Sequence, residues 1–343
     1  MITIKIYMRL LLVLAVLGLG SCKENENIPE VKADDSFAKG ADISWITEME
    51  AAGVNFYNNG GVSVDGIKLL HSMGMDAVRL RVWVDPVNGW CNKQDLLVKA
   101  YRAHNLGMRI LVDFHYSDSW ADPGQQNKPR TWEGLSLDAL KQAVADHTIE
   151  VLSLLKSNGI TPEWVQVGNE TGNGMLWDEG KASENMANYA LLNNAGYDAV
   201  KSVFSDAKVI VHVHNGHDNG LFRWLFDGLK SNGGKWDVIG MSLYPDKDNW
   251  RERNTQCLAN IQDMNTRYGS DVMICEVGMS WDEEDAAEAF LTDLIAKCRT
   301  VSNEKVLGVF YWEPLAHAGW NGYTLGAFDD NGRATKALNA FFK

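Results

Sequence analysis

The chain has 343 residues, 45% of them hydrophobic and 22% charged, which is enough apolar material for a large core and excludes a globally disordered protein. Its net charge of -13 speaks against nucleic acid and anionic membrane surfaces as partners, since both repel an acidic protein, and leaves neutral partners open. Single α/β barrels reach about 250 residues or more, so the length does not demand two large domains.

Lys5 and Arg9 precede an apolar run over 10–19, and Gly20-Ser21-Cys22 follows. These are the charged, apolar and small-residue zones of a secretory leader, too short to span a membrane comfortably. Leu19-Gly20-Ser21-Cys22 resembles the lipobox of bacterial lipoproteins, which implies a leader over 1–22 and a lipidated Cys22 as the mature N-terminus. The polar, acidic stretch 23–36 reads as a flexible tether, and Lys23-Glu24-Asn25-Glu26 resembles the surface-export tags of some Gram-negative bacteria. The expected location is the outer membrane or cell surface, with membrane contact only through the lipid on Cys22 and a monomeric state.

From Phe37 onward, short β-branched runs alternate with helical patterns, the signature of parallel strands joined by crossover helices. Eight strand candidates cover 39–44, 77–82, 109–115, 164–170, 208–213, 238–243, 272–276 and 307–312. Helical patterns include 64–73, 94–106, 137–157, 183–202, 254–268, 286–300 and a closing one at 335–342. Gly74 and Gly107 follow two of these helices, as expected of C-caps with positive φ. The predicted fold is a single α/β domain over 37–343, a (β/α)8 TIM barrel with long, aromatic-rich loops at the carboxyl ends of the strands. No GxGxxG run joins the first strand to the first helix, which removes the usual nucleotide reading of an open doubly wound sheet. Cys91, Cys257, Cys275 and Cys298 show no paired CxxC spacing for zinc. One or two disulfides stay open among them, although Cys275, inside an apolar run, reads as a buried free thiol.

Two glutamates close strand candidates about a hundred residues apart: Glu170 in WVQVGNE and Glu276 in VMICE. A barrel rim brings such residues together across a cleft, and a retaining glycosidase needs one carboxylic acid and one carboxylate about 5 to 5.5 Å apart. A lone glutamate at a strand end is more often a solvated charge; the pairing of two is what points to chemistry.

The segments KGADISWITEMEAAG, AVRLRVWVDP, LVDFHYSDSWADPGQQ, VQVGNE, ICEVG and YWEP, in this order, resemble glycoside hydrolase family 53, the endo-β-1,4-galactanases, within the clan of retaining barrel glycosidases. The resemblance covers nearly the whole mature chain. It implies an endo-acting hydrolase of internal β-1,4 linkages in pectic galactan or arabinogalactan, with Glu170 as general acid/base and Glu276 as nucleophile. Galactan or galacto-oligosaccharides would be the partner, and catalysis would require no cofactor.

The chemistry asks that Glu170 hold a proton near neutral pH, through desolvation and the charge of Glu276, and that Glu276 stay ionised. A cation at Arg79 would lower the Glu276 pKa by roughly 1 to 3 units, and Arg81 faces the same side of its strand. The competing role for both arginines is an ion-pair lattice inside the barrel. Asn169 would donate to the sugar 2-hydroxyl or serve as a strand-end turn. Tyr244 would hydrogen-bond Glu276, as the clan resemblance implies, or pack beside Pro245. His115 is assigned to the cleft, and His214, which alternates with His212 in VHVHN, to sugar contact or core packing. Aromatic faces suit the C–H faces of sugar rings, and Trp312 in YWEP is the expected floor under the cleaved sugar. Asp282, Asp285 and Asp330 fall in acidic stretches that suit a structural calcium ion, or a solvated helix N-terminus in the case of the first two. A β-mannanase or cellulase on the same barrel, and a non-catalytic glycan-binding lipoprotein, remain as alternatives.

Overall fold

The computed structural model describes residues 36–317 and 319–342; the leader, Cys22 and all of the tether except Ser36 lie outside the described residues. In chain order the strands are β1 (Ala38–Asp42), β2 (Phe56–Tyr57), β3 (Ser63–Val64), β4 (Ala77–Val82), β5 (Arg109–Phe114), β6 (Trp164–Val167), β7 (Lys208–Val213), β8 (Val238–Leu243), β9 (Asp271–Val277) and β10 (Val306–Tyr311). The helices are α1 (Ile46–Ala51), α2 (Gly66–Ser72), α3 (Lys93–His104), α4 (Leu137–Ser157), α5 (Ala182–Val203), α6 (Asn219–Ser231), α7 (Trp250–Tyr268), α8 (Glu284–Arg299) and α9 (Asn339–Phe342). Eight parallel strands close into a barrel in the order β1-β10-β9-β8-β7-β6-β5-β4, while β2 and β3 form a separate antiparallel hairpin.

Both faces of these strands are covered, so nearly every strand residue is buried and the strands read as continuous apolar runs. Inside the lower barrel, Ala38, Ala77, Leu111, Trp164, Ile210, Val238, Met273, Cys275 and Phe310 form one packed cluster. Outward residues such as Val78, Leu80, Val112 and Val211 join the helices in the main core. Gly40 makes room for Phe310, its partner on the neighbouring strand β10, since a Cβ there would lie 2.2 Å from that ring. Above this apolar plug, alternation along the strands turns Asp42, Arg79, Arg81, Asp113, Gln166, His212 and Ser242 inward, all of them buried. A barrel that is apolar at its base is therefore charged toward its carboxyl face.

The expected helix at 137–157 appears with those bounds and the others with shifted ends, and the glycines after α2 and α3 take positive φ as C-cap geometry requires: 90° at Gly74 and 74° at Gly107. Three features went unflagged. Helix α6 carries Leu221, Phe222, Leu225, Phe226 and Leu229 on one face with Asp218 capping its first turn, a periodicity interrupted by Gly220 and Gly228. The hairpin and α1 are too short to leave a pattern. The predicted closing helix is a 3-10 turn over Lys336–Leu338 followed by the four-residue α9. The four cysteines after Cys22 are all buried and free, which corrects the disulfide option and agrees with Cys275 as a buried thiol.

Candidate active site

Two departures from regular strand geometry aim the glutamates. β6 ends at Val167 rather than at Glu170, because Gly168 turns the chain with φ of 86° and Glu170 itself sits in the left-handed region at φ 47°. A non-glycine residue there costs free energy, about 1 kcal/mol or more, and persists only where its surroundings impose it. On β9, Met241 pairs with Ile274 but Ser242 pairs with Glu276, so Cys275 is the extra residue of a bulge. Cys275 fills the barrel interior, and the bulge allows the very next side chain, Glu276, to face the cleft as well.

The two glutamates line one depression of about 280 Å³, together with His115, Trp120, Asp122, Asn169, Tyr244, Trp312 and Tyr323. Four of the sequence-predicted substrate contacts, His115, Asn169, Tyr244 and Trp312, thus share this cleft with Glu170 and Glu276, while Arg79 lies beneath it and His214 beside it. His214 packs against the loop that follows Glu170: a Cβ on Gly172 would meet its Cε1 at 2.4 Å, and its Nδ1 is buried without a hydrogen-bond partner.

Arg79 is fully buried at the centre of the polar layer. Its Nη1 binds Asp42 Oδ2 at 2.7 Å, and its Nη2 meets Asp113 Oδ2 and Glu276 Oε1, each at 2.9 Å, and donates to Asn169 Oδ1 at 2.8 Å. Its Nε donates to Gln166 Oε1 at 2.7 Å. Tyr244 donates its hydroxyl to Glu276 Oε2 at 2.7 Å, and Ser242 donates to Glu170 Oε1 at 2.6 Å. His115 Nδ1 accepts from the Trp83 indole and the Ala121 amide, both at 3.2 Å, which leaves its Nε2 proton for Asp113 at 3.0 Å. Asp42, Asp113, Gln166 and Ser242 were not singled out from sequence. The signal was there in part, since Asp113 and Ser242 lie two residues before His115 and Tyr244 and so share their strand faces.

Burial drives both catalytic candidates up, Glu170 to about 7 and Glu276 to about 8. This corrects the expectation that Arg79 would hold Glu276 low: desolvation outweighs the cation, and the charge of Glu170 adds to it. Two interacting carboxyls of this kind titrate as a pair and hold one proton near neutral pH. Their contacts decide where it resides. Glu276 faces a guanidinium and a phenol, both donors, whereas Glu170 has a single hydroxyl donor, so the anion is favoured on Glu276 and the proton on Glu170.

Arg81 does not reach the glutamates. Its guanidinium lies 4.3 Å from the Trp120 ring centroid, 5.0 Å from Trp83 and 5.7 Å from Trp45, and 3.5 Å from Glu313. It buttresses an aromatic wall in which Trp312 meets Tyr323 edge-on at 4.6 Å between centroids and Trp45 at 5.1 Å. Trp120 and Tyr323 also border an adjoining depression of about 600 Å³ with Trp83 and Trp90 on its walls.

A family model described as Glycosyl hydrolase family 53 matches residues 38–341, which is the whole barrel. The chain belongs to glycoside hydrolase family 53. Relatives of this family 53 chain include an arabinogalactan endo-beta-1,4-galactanase of Cellvibrio japonicus, 32% identical with 81% of this chain and 80% of that protein aligned. An uncharacterized protein from the bgaB 5' region of Niallia circulans is 36% identical, over 82% of this chain and 84% of its own length. Among solved structures, a fungal beta-1,4-galactanase superposes with a TM-score of 0.81 at 28% identity, covering 89% of this chain and 98% of the other. Family 53 enzymes need no cofactor for catalysis. Among the described residues, no group of three or more His, Cys, Asp or Glu side chains is arranged for a metal ion. Asp285 is instead paired with Lys336 at 2.8 Å and Asp282 accepts the Ser280 hydroxyl at 2.7 Å, while Asp330 borders a separate surface depression with Asn331 and Arg333.

Proposed function

We propose that Glu170 and Glu276 carry out the double displacement by which this family 53 hydrolase cleaves internal β-1,4-galactosidic linkages. Family membership replaces the mannanase, cellulase and non-catalytic readings. The observation that carries the assignment of roles is the unequal bonding of the two carboxyls: among the described residues Glu276 is held by Arg79 and Tyr244, and Glu170 by the Ser242 hydroxyl. Glu276, kept anionic, attacks the anomeric carbon, while Glu170 gives its proton to the departing glycosidic oxygen. Glu170 then takes a proton from the water that releases the sugar from Glu276. Asn169 uses one amide hydrogen on Ala121 O at 2.8 Å and keeps the second for the sugar 2-hydroxyl. Trp312 supports the ring, and the adjoining aromatic depression gives a polymer room to extend beyond the cleavage point.

Proton NMR of the first products from galactan should show the β anomer, as double displacement requires, and an initial α product would remove the mechanism. The rate should fall as pH rises above neutrality, where the buried pair gives up the proton held on Glu170. Glu170→Ala should lose at least about 100-fold on galactan and much less on aryl galactosides, whose leaving groups need little protonation.

Export as a lipoprotein belongs to the same reading and rests on the Leu19-Gly20-Ser21-Cys22 motif. Palmitate labelling of cells should mark the native chain and not a Cys22→Ala variant; label on both would refute the anchor. A calcium ion near Asp282, Asp285 and Asp330 is not part of this proposal, because Lys336 already neutralises Asp285.

A further inference from the structure

We propose that Arg79 also governs Glu170, through a one-way chain of hydrogen bonds along Gln166, His212 and Ser242 that confines the acid's proton to Oε2. The inference rests on the reading of Glu170 as the acid/base and makes Gln166, His212 and Ser242 positioning residues.

The direction of the chain follows from donors that cannot reverse. A guanidinium only donates, so the Gln166 atom 2.7 Å from Arg79 Nε is the amide oxygen. The Gln166 amide nitrogen then has two protons to place. One goes to Asp113 Oδ1 at 2.9 Å, and the other points at His212 Nδ1 at 3.0 Å. The backbone N–H of Glu170 is aimed at the same Nδ1 at 3.4 Å. Two donors directed at one ring nitrogen require a lone pair there, which places the imidazole proton on Nε2. That proton goes to Ser242 Oγ at 2.8 Å, and the Ser242 proton is left for Glu170 Oε1 at 2.6 Å. One contact opposes this order: Asn169 Oδ1 lies 3.0 Å from His212 Nδ1, but it already accepts from Arg79.

Gln166 and His212 are fully buried and Ser242 is 1% exposed, so bulk water has no route to scramble the chain. Burial, followed by the neighbouring Arg79 charge, keeps the His212 ring neutral. A carboxylic acid whose Oε1 accepts a hydrogen bond carries its proton on Oε2, free to be donated. Run backwards, the chain would draw the Glu170 proton toward Ser242 and leave none for the glycosidic oxygen. The groups facing Glu170 besides Ser242 are Arg79, Asp122, Asp113, Glu276 and Tyr244.

Nitrogen-15 NMR of the histidine-labelled, unmodified enzyme tests the direction, with His212 assigned by the signal missing from a His212→Gln variant. The expected result is a neutral ring protonated on Nε2 from about pH 5 to about pH 8; protonation on Nδ1 overturns the proposal. Ser242→Ala should lower kcat on galactan about tenfold with KM unchanged, and lose less on activated aryl galactosides. Because the lost hydroxyl favoured the ionised form of Glu170, the basic limb of kcat/KM should move to higher pH, and Ser242→Thr should move it back. An unmoved limb in a folded Ser242→Ala enzyme overturns the relay alone. Unimpaired galactan hydrolysis by Glu170→Ala would instead remove the acid/base reading on which the relay stands.

Discussion

Glu276→Ala should fold and yet lose roughly four orders of magnitude or more in kcat on galactan, measured by release of reducing ends. Folding should survive because Arg79 keeps two other carboxylates, Asp42 at 2.7 Å and Asp113 at 2.9 Å, so its buried cation is still compensated. Removing a desolvated carboxyl also removes a group whose ionised form burial penalises. Activity should not survive, because the other carboxyls lining the cleft are engaged elsewhere: Glu170 is the acid, and Asp122 accepts from the Gly124 amide and the Gln125 side chain of its own loop, each at 2.8 Å. A small nucleophile such as azide should enter the vacated space and attack an activated aryl galactoside directly. That single displacement gives the α-galactosyl azide, the opposite outcome from the wild-type reaction. Ordinary galactan hydrolysis by the variant would end the nucleophile assignment.

Arg79→Met should produce the largest loss of stability of any single change in the polar layer. It leaves Asp42, Asp113 and Glu276 without their common cation, and breaking a buried pair in this way costs about 3 to 5 kcal/mol. A thermal melt near neutral pH should show a Tm lower by several degrees or more. In the wild type, burial alone would raise Asp113, but Arg79 and then His115 pull it below the ordinary carboxylate range. Its contribution to stability is therefore present at neutral pH and fades as pH falls through that lowered value. Without Arg79, burial raises Asp113 instead, and its stabilising contribution is lost as pH rises. The difference in Tm between variant and wild type should accordingly widen from acidic to neutral pH; a constant difference would mean that Arg79 acts through packing alone. Arg79→Lys should recover only part of the stability and little activity, because one ammonium cannot serve Gln166, Asp42, Asn169, Asp113 and Glu276 at once.

Much of this protein was legible before any coordinates. Strands at 77–82, 208–213 and 238–243 were bounded to the residue, because short apolar runs between helical patterns leave a strong local signal. Glu170 and Glu276 stood out as a pair, each closing an apolar run at a strand end. Asn169, His115 and Trp312 came from family-like segments and Tyr244 from the clan resemblance, and the structure brings all four to the same cleft as the glutamates. Helix α6 was within reach of the same reasoning, through the helical spacing of Leu221, Phe222, Leu225, Phe226 and Leu229.

What the amino-acid sequence determined by itself is the alternation of elements, the closure into a barrel and the two carboxyls at strand ends, all consequences of local periodicity and residue chemistry. The tertiary structure alone decided how those carboxyls differ. In a parallel strand buried on both faces, polar and apolar positions do not separate cleanly, so the inward set of Asp42, Asp113, Gln166, His212 and Ser242 carries no decisive pattern along the chain. The left-handed turn at Glu170 and the bulge at Cys275 shift single residues against neighbouring strands, and pairing register exists only between strands. Burial, which raises both glutamates, and the single guanidinium shared among three carboxylates are likewise properties of packing in three dimensions.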